Sequence, residues 1–248
     1  MPDYRVSLWN YGHYSNAGRL EDVVAEIAQV GFGVELWPSW HDTPDLFCPS
    51  HRERLRRLLQ GVRSSWHSGR VSDFNGHKRQ IDCAADCGSD VIVVHAGHME
   101  VAGDHPDFGF AREVVAYARQ RGIMLCLENG ALHVIERAIA NVDDLMVCID
   151  TGHAYKDSPA PGVAPTGLRP YLDSLSERIR HLHLQDTLAE GDHYTPGTGT
   201  IPRADWQCLL HTMRRMGFRG AWVTEIRPRR PVRTALDTFA FLESLEPQ

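Results

Sequence analysis

Apolar runs along this chain stop, one after another, in a carboxylate or an imidazole. Glu35 ends the run from Gly33, and His67 ends the one from Arg63. His95 closes Val91–Val94, Glu128 closes Ile123–Leu127, and Asp150 closes Val147–Ile149 with His153 three residues further on. His183 and Glu225 end two later runs, and His193 follows in the stretch after His183. Carboxylate oxygens and imidazole nitrogens are the donors that hold Zn²⁺ or Mn²⁺. Paired carboxylates also serve as general acid and base. A lone histidine at a strand end is usually a hydrogen-bonded structural residue, but a repeated pattern calls for a shared purpose.

Positioning these groups requires β-strands that end on one common face. The apolar runs Tyr4–Trp9, Gly33–Trp37, Arg63–His67, Asp90–His95, Ile123–Glu128, Val147–Asp150, Arg180–Asp186 and Ala221–Ile226 read as strands. Helical periodicity fills the gaps: Leu20–Val30, Ser50–Leu59, Lys78–Cys87, Phe110–Gln120, Ala131–Ala140, Leu168–Ile179, a helix capped by Asp205 and running to Met216, and Val232–Leu245. Gly191–Gly199 reads as a long polar loop. Near-continuous apolar strands alternating with amphipathic helices imply parallel strands buried on both faces. Eight such units in 248 residues, without a composition break, predict a single-domain (β/α)8 TIM barrel over residues 1–248, whose functional groups gather at the C-terminal strand ends. A doubly wound sheet is the alternative, but no Gly-x-Gly-x-x-Gly follows the first strand.

Composition narrows the chemistry. A formal net charge of −6 offers no overall basic footprint for nucleic acid. The chain has no apolar run long enough to span a membrane and opens without a signal-peptide pattern, so a cytoplasmic location is expected. The six cysteines form no paired framework, and Cys126 and Cys148 fall inside apolar strands, where a thiol acts as a small hydrophobe. Lys78 and Lys156 are the only lysines, and neither ends a strand, which disfavours Schiff-base chemistry. No Gly-x-Ser-x-Gly elbow is present. The 14 histidines are the outlier.

Taken together, Trp66-His67-Ser68-Gly69, Val94-His95-Ala96-Gly97, Leu127-Glu128-Asn129, Asp150-Thr151-Gly152-His153, His183-Leu184-Gln185-Asp186, Pro196-Gly197-Thr198-Gly199 and Thr224-Glu225-Ile226 resemble the xylose isomerase-like TIM-barrel superfamily. That superfamily includes sugar isomerases and epimerases and also endonuclease IV, an AP endonuclease of family 2. By resemblance to ketose 3-epimerases, Glu128, Asp150, His183 and Glu225 would hold one divalent ion (Mn²⁺, Co²⁺ or Zn²⁺). Glu128 and Glu225 would then be the acid/base pair acting on a small carbohydrate or keto-sugar. By resemblance to endonuclease IV, up to three zinc ions would be held: His67, His95 and Glu128 in one site, the quartet in a second, and His153 and His193 in a third, for cleavage of abasic DNA. Two departures stand out. Gly191 lies where the third zinc site of endonuclease IV has an Asp, and His193 lies near where epimerases carry a substrate-binding Arg.

Further expectations attach to single residues. His153 is a candidate catalytic residue as well as a ligand. Glu35, His95, His193 and Trp37 are candidate substrate contacts, and Glu35 could instead orient a ligand histidine or form an ion pair. Trp9 is a second candidate wall of a sugar pocket. His181, two residues before His183, reads as a satisfied barrel histidine. His13, His41, His98 and His105 fall in mouth-side loops, and the Arg52–Arg57 cluster reads as a solvated helix face. The resemblance leaves room for a homo-oligomer, although the sequence carries no interface signal.

Overall fold

The computed structural model describes residues 2–11, 19–38, 48–71, 73–156, 164–227 and 231–245. Seven consecutive strands come first: β1 (Asp3–Ser7), β2 (Gly33–Leu36), β3 (Ser64–His67), β4 (Val91–His95), β5 (Met124–Glu128), β6 (Met146–Asp150) and β7 (Ile179–Leu184). A two-stranded hairpin follows, β8 (Asp186–Leu188) and β9 (Gly191–Tyr194), and then β10 (Ala221–Thr224). Strands β1 to β7 and β10 close into an all-parallel barrel in the order β1-β10-β7-β6-β5-β4-β3-β2, so the expected (β/α)8 barrel is observed.

The helices that return the chain between strands are α1 (Leu20–Gln29), α2 (Pro49–Leu58), α3 (Phe74–Cys87), α4 (Phe108–Gln120), α5 (Leu132–Asn141), the short α6 (His153–Lys156), α7 (Leu168–Leu175), α8 (Arg203–Arg215) and α9 (Pro231–Ser244). Each of the longer ones turns an apolar stripe inward. In α1, Val23, Val24 and Ile27 are buried; in α8, Trp206, Leu209 and Met213 are. Side chains alternate across a strand, so Leu125 and Leu127, Val147 and Ile149, and Leu182 and Leu184 point out to the helices and join the large core cluster. The other set points into the barrel.

That inner set has a gradient along the barrel axis. At the floor, the buried Arg5 guanidinium bonds Asp90 through Nη1 (2.7 Å) and Asp3 through Nη2 (2.6 Å). Above it Val91, Val93, Cys126 and Cys148 form a small separate apolar cluster. Two residues further along their strands come His95, Glu128 and Asp150, with His95 opposite Glu128 and Asp150 opposite His183 in the ladder. The polar groups therefore occupy the C-terminal end of the barrel, over an apolar middle layer.

Several local expectations change. Gly191–Tyr194 is a strand, pairing antiparallel with Asp186–Leu188 (Asp186↔Tyr194, Leu188↔Gly191). The turn beyond it is tied down by Asp186, whose carboxylate accepts from the backbone N–H groups of Gly197 (3.0 Å), Gly199 (3.1 Å), Thr187 (2.8 Å) and Ile201 (3.0 Å). Asp205 is not a cap: α8 begins at Arg203 after Pro202, and Asp205 accepts from Arg169 Nε (2.6 Å) and from the Tyr155 hydroxyl. Helices α3 and α4 begin earlier than their apolar periodicity, because Asp73 and Asp107 accept from N–H groups of the first turn. Helix α7 stops at Leu175 and gives way to a 3₁₀ turn over Ser176–Arg178. No helix among the described residues is long and apolar enough to cross a membrane.

Candidate metal centre

Glu128 lies at the middle of the barrel mouth. Its Oε1 is 3.0 Å from His183 Nδ1 and 3.7 Å from His153 Nδ1. Its Oε2 lies 3.1 Å from His95 Nδ1 and 3.4 Å from His67 Nε2. Glu225 brings its Oε2 to 3.0 Å from the same His183 Nδ1, and Asp150 Oδ2 lies 4.0 Å from it. Glu128, Asp150, His183 and Glu225, all buried, each offer one ligand atom within 4.8 Å of the others. A second such group, His67, Glu128 and His183, shares two members with it. Asp150 is opposite His183 in the ladder, Glu128 ends the strand on one side of that pair and Glu225 follows the strand on the other, so four distant sequence positions converge without a long loop.

The donors are braced individually. Asp150 Oδ2 accepts from Gln185 Nε2 (2.6 Å), and its Oδ1 accepts from the backbone N–H of His153 (2.9 Å). Asn129 grips the Asp150 backbone from both sides, donating to its carbonyl (3.1 Å) and accepting from its N–H (2.5 Å). His67 Nδ1 lies 3.0 Å from the Ser68 carbonyl, and a carbonyl only accepts, so the hydrogen of a neutral His67 sits there and the Nε2 lone pair faces Glu128. Trp37 stacks on His67 with ring centroids 4.0 Å apart and planes 6° from parallel, and its indole N–H donates to Ser7 Oγ (3.0 Å).

His193 is reached by β9. Its backbone adopts φ +61°, a left-handed conformation costing a non-glycine residue about 1–2 kcal/mol. Its N–H is held by Gln185 Oε1, and its Nδ1 lies 3.2 Å from the Glu225 carbonyl. Trp9 packs on its ring (5.4 Å) and on Trp37 (5.6 Å). Glu35, by contrast, faces the interior: fully buried, it accepts from Ser65 Oγ (3.1 Å) and lies 2.8 Å from His181 Nε2 and 3.1 Å from His183 Nε2. His98 stands beside His95 (5.6 Å) and uses its carbonyl to accept from His77 Nε2 (2.7 Å). His13 and His41 lie outside the described residues. The arginines of α2 make ion pairs on the barrel exterior, Arg52 with Asp86 and Arg57 with Glu53.

The sequence motifs contained Gln185 and Asn129 but gave them no role. A polar residue beside a ligand on a strand end is the signal that would have found them.

Burial pushes the Glu128 carboxyl up, yet His95, His183 and His67 outweigh it and hold it well below the usual carboxylate range. Glu225 follows the same pattern, burial opposed by His183 and His67. Asp150 is raised, because burial and the charges of Glu128 and Glu225 prevail over His153 and His183. Burial lowers His183, but the Cys148 sulfur beside it and the carboxylates of Glu35 and Glu225 lift it well above the ordinary imidazole value. Three carboxylates this close repel one another unless a cation stands between them.

The donor set suits a divalent ion. Glu128 Oε2 is buried with no hydrogen-bond donor aligned on it, although two imidazole nitrogens stand close by, His95 Nδ1 at 3.1 Å and His67 Nε2 at 3.4 Å. A buried carboxylate oxygen without an aligned donor, among imidazole nitrogens and further carboxylates, is the donor set a divalent cation takes.

Comparison with known proteins finds relatives of this barrel. Fructoselysine 3-epimerase of Escherichia coli O157:H7 is 28% identical over an alignment of 264 positions, covering 90% of this chain and 93% of that protein. A D-tagatose 3-epimerase-like protein superposes with a TM-score of 0.72 at 18% identity, covering 98% of this chain and 96% of the other. A xylose isomerase-like TIM barrel protein from Mycobacterium smegmatis, in complex with magnesium, gives 0.68 at 15% identity over 98% and 96% of the two chains. The family model described as xylose isomerase-like TIM barrel matches residues 67–245, a span that runs from the first mouth histidine to the end of the last helix. This chain belongs to that family.

Proposed function

We propose that the protein is a metal-dependent sugar epimerase or isomerase acting on a small carbohydrate or keto-sugar. The observation that carries this reading is the convergence of Glu128, Asp150, His183 and Glu225 on one buried point at the barrel mouth. A divalent ion held by these four donors would polarise a bound carbonyl and acidify the adjacent C–H. The chain's own residues do the rest. Glu128 and Glu225 remain ionised at neutral pH, their carboxyls lowered by the surrounding imidazoles, and so can accept a proton from carbon. Removal by one carboxylate and return by the other, on the opposite face, inverts the carbon centre. Gln185 and Asn129 fix Asp150, while Trp37, Trp9, His95 and His193 wall the space in front, with rings for a sugar face and nitrogens for its hydroxyls.

The names of the relatives support the class of reaction and leave the sugar open. The test is a panel of ketoses and keto-sugar derivatives in D₂O with added Mn²⁺ or Co²⁺, following deuterium at the carbon next to the carbonyl. Glu128→Gln is expected to abolish exchange while the far-UV spectrum is unchanged. Undiminished exchange in that variant would sink the assignment of Glu128.

A zinc phosphoesterase is the second reading, favoured by one observation: His67 and His95 both face Glu128 Oε2, room for a second ion bridged by Glu128. His193, whose ring lies 6.5 Å from that of His153, has its Nε2 4.0 Å from Asp192 Oδ1 and directs Nδ1 to the Glu225 carbonyl. Cleavage of an abasic duplex with zinc supplied, together with two or three ions per chain, would displace the epimerase reading.

A further inference from the structure

The first reading leaves Glu35 without a task. It is fully buried at the end of β2, and three groups converge on its Oε2: the Ser65 hydroxyl at 3.1 Å, His181 Nε2 at 2.8 Å and His183 Nε2 at 3.3 Å. His183 is thus gripped from both sides. Its Nε2 meets Glu35, and its Nδ1 meets Glu128 Oε1 and Glu225 Oε2, each at 3.0 Å.

We propose that Glu35 is a positioning residue for the metal centre, holding the hydrogen of His183 on Nε2 so that Nδ1 is the nitrogen free to bind the ion. This inference rests on the reading of Glu128, Asp150, His183 and Glu225 as metal ligands. An ionised carboxylate accepts and cannot donate, so the cationic ring of His183 offers one hydrogen to Glu35 through Nε2 and one to the Glu128–Glu225 pair through Nδ1, and with Nδ1 given to an ion the remaining hydrogen would be the one that Glu35 holds on Nε2. The hydrogen that leaves when an ion enters is then the one on Nδ1. A carboxylate behind a ligating imidazole also fixes the ring plane and raises its donor strength. Glu35 can do this because two further donors, from β3 and β7, hold it in place. Ser65 lies opposite it in the ladder, and His181 is the residue one pleat deeper than His183. His181 is therefore an anchor for Glu35, so its position two residues from the ligand has a purpose. Glu35 itself touches neither ion nor substrate.

Substituting glutamine for Glu35 keeps the shape but supplies an amide that can donate to Nε2, which permits the Nδ1–H form and closes the metal-binding nitrogen. The full chain, stripped of metal, is titrated with Mn²⁺ and with Zn²⁺ against a fluorescent chelator. Glu35→Gln is expected to weaken binding about 10- to 100-fold, with the melting temperature of the metal-free protein changed little. Glu35→Asp, which keeps the charge, should recover part of the loss, and His181→Gln, which leaves Glu35 facing His183, should lose less than Glu35→Gln. Equal affinity in Glu35→Gln and the unaltered chain overturns the inference and leaves the metal reading intact. Absence of any Mn²⁺ or Zn²⁺ binding by the unaltered chain overturns the metal reading itself. A measurement on the unaltered, zinc-loaded protein decides the matter even if the variants do not fold. The Nε2–H of His183 should give a downfield, exchange-protected proton resonance in a ¹⁵N-histidine sample, and a ring without that hydrogen contradicts the proposal.

Discussion

Gly152 offers the sharpest test of how the mouth is built. It follows Asp150 and Thr151 at the end of β6, and a Cβ placed on it would stand 2.6 Å from both Cδ and Oε1 of Gln185 and 2.8 Å from its Cγ. Such distances are well inside van der Waals contact, so Gly152→Ala must displace Gln185. That side chain is fully buried and cannot move without cost. Its Nε2 donates to Asp150 Oδ2 (2.6 Å) and its Oε1 accepts the N–H of His193 (2.5 Å). Losing a hydrogen bond to a buried carboxylate costs about 1.5–3 kcal/mol, and overpacking adds about 1–3 kcal/mol. A total of about 3–5 kcal/mol is expected, or about 10 °C in melting temperature for a chain of this length. Urea unfolding of the metal-free protein measures it. The double variant with Gln185→Ala separates clash from lost bonds: once the glutamine is gone, adding Gly152→Ala should cost less than about 1 kcal/mol, giving a coupling of about 2 kcal/mol or more. The reasoning fails if Gly152→Ala unfolds at the same urea concentration as the parent. It fails equally if the alanine costs the same with and without Gln185.

Three other outcomes are expected. Saturating Mn²⁺ at about 100 times its dissociation constant should stabilise the fold by about 2.7 kcal/mol, seen as a rise in melting temperature that a chelator reverses. Metal affinity should increase with pH: His183 is raised well above its ordinary value, so the metal-free ring holds a proton at neutral pH that the ion must expel, and calorimetry in buffers of different ionisation enthalpy should register its release. Trp37→Phe keeps a ring over His67 but loses the bond to Ser7 Oγ, and should cost about 1 kcal/mol in urea unfolding.

Strand ends were the legible part of this sequence, and the reason is geometric. A parallel strand buried on both faces is written as an unbroken apolar run, so the first carboxylate or imidazole after it marks the barrel rim. That logic puts Glu128, Asp150, His183 and Glu225 on the rim together with Glu35, His67 and His95, and the resemblance to ketose 3-epimerases singles out the four. It did not find the β8–β9 hairpin, because Gly-Asp-His-Tyr has no apolar alternation. That pairing is supported from outside, by the Asp186 carboxylate gathering the N–H groups of Gly197 and Gly199. Asp205 misled for a related reason. A carboxylate in the first turn of α8 resembles a cap, but Tyr155 and Arg169, far away in sequence, claim it. Glu35 was open to several roles because its partners lie on β3 and β7, and no local pattern reports which way a strand-end carboxylate faces.

Charge along the barrel axis supports the proposal that the mouth holds a cation. The interior holds four carboxylates near its C-terminal end, Glu35, Glu128, Asp150 and Glu225, and one buried guanidinium at its floor, Arg5. Arg5 is committed to Asp3 and Asp90, and the layer of Val93, Cys126 and Cys148 separates it from the carboxylates above. Among the described residues, histidine is then the basic residue type brought against them. Imidazole can neutralise a carboxylate only by keeping a proton, and a protonated nitrogen cannot be a metal ligand. The same groups thus have two mutually exclusive arrangements, a protonated cluster without metal and a deprotonated cluster around an ion. An arginine or lysine in place of His183 would satisfy the carboxylates permanently and leave no site. The choice of histidine at that strand end therefore keeps the cluster stable enough to fold empty while leaving it able to exchange its protons for a divalent ion.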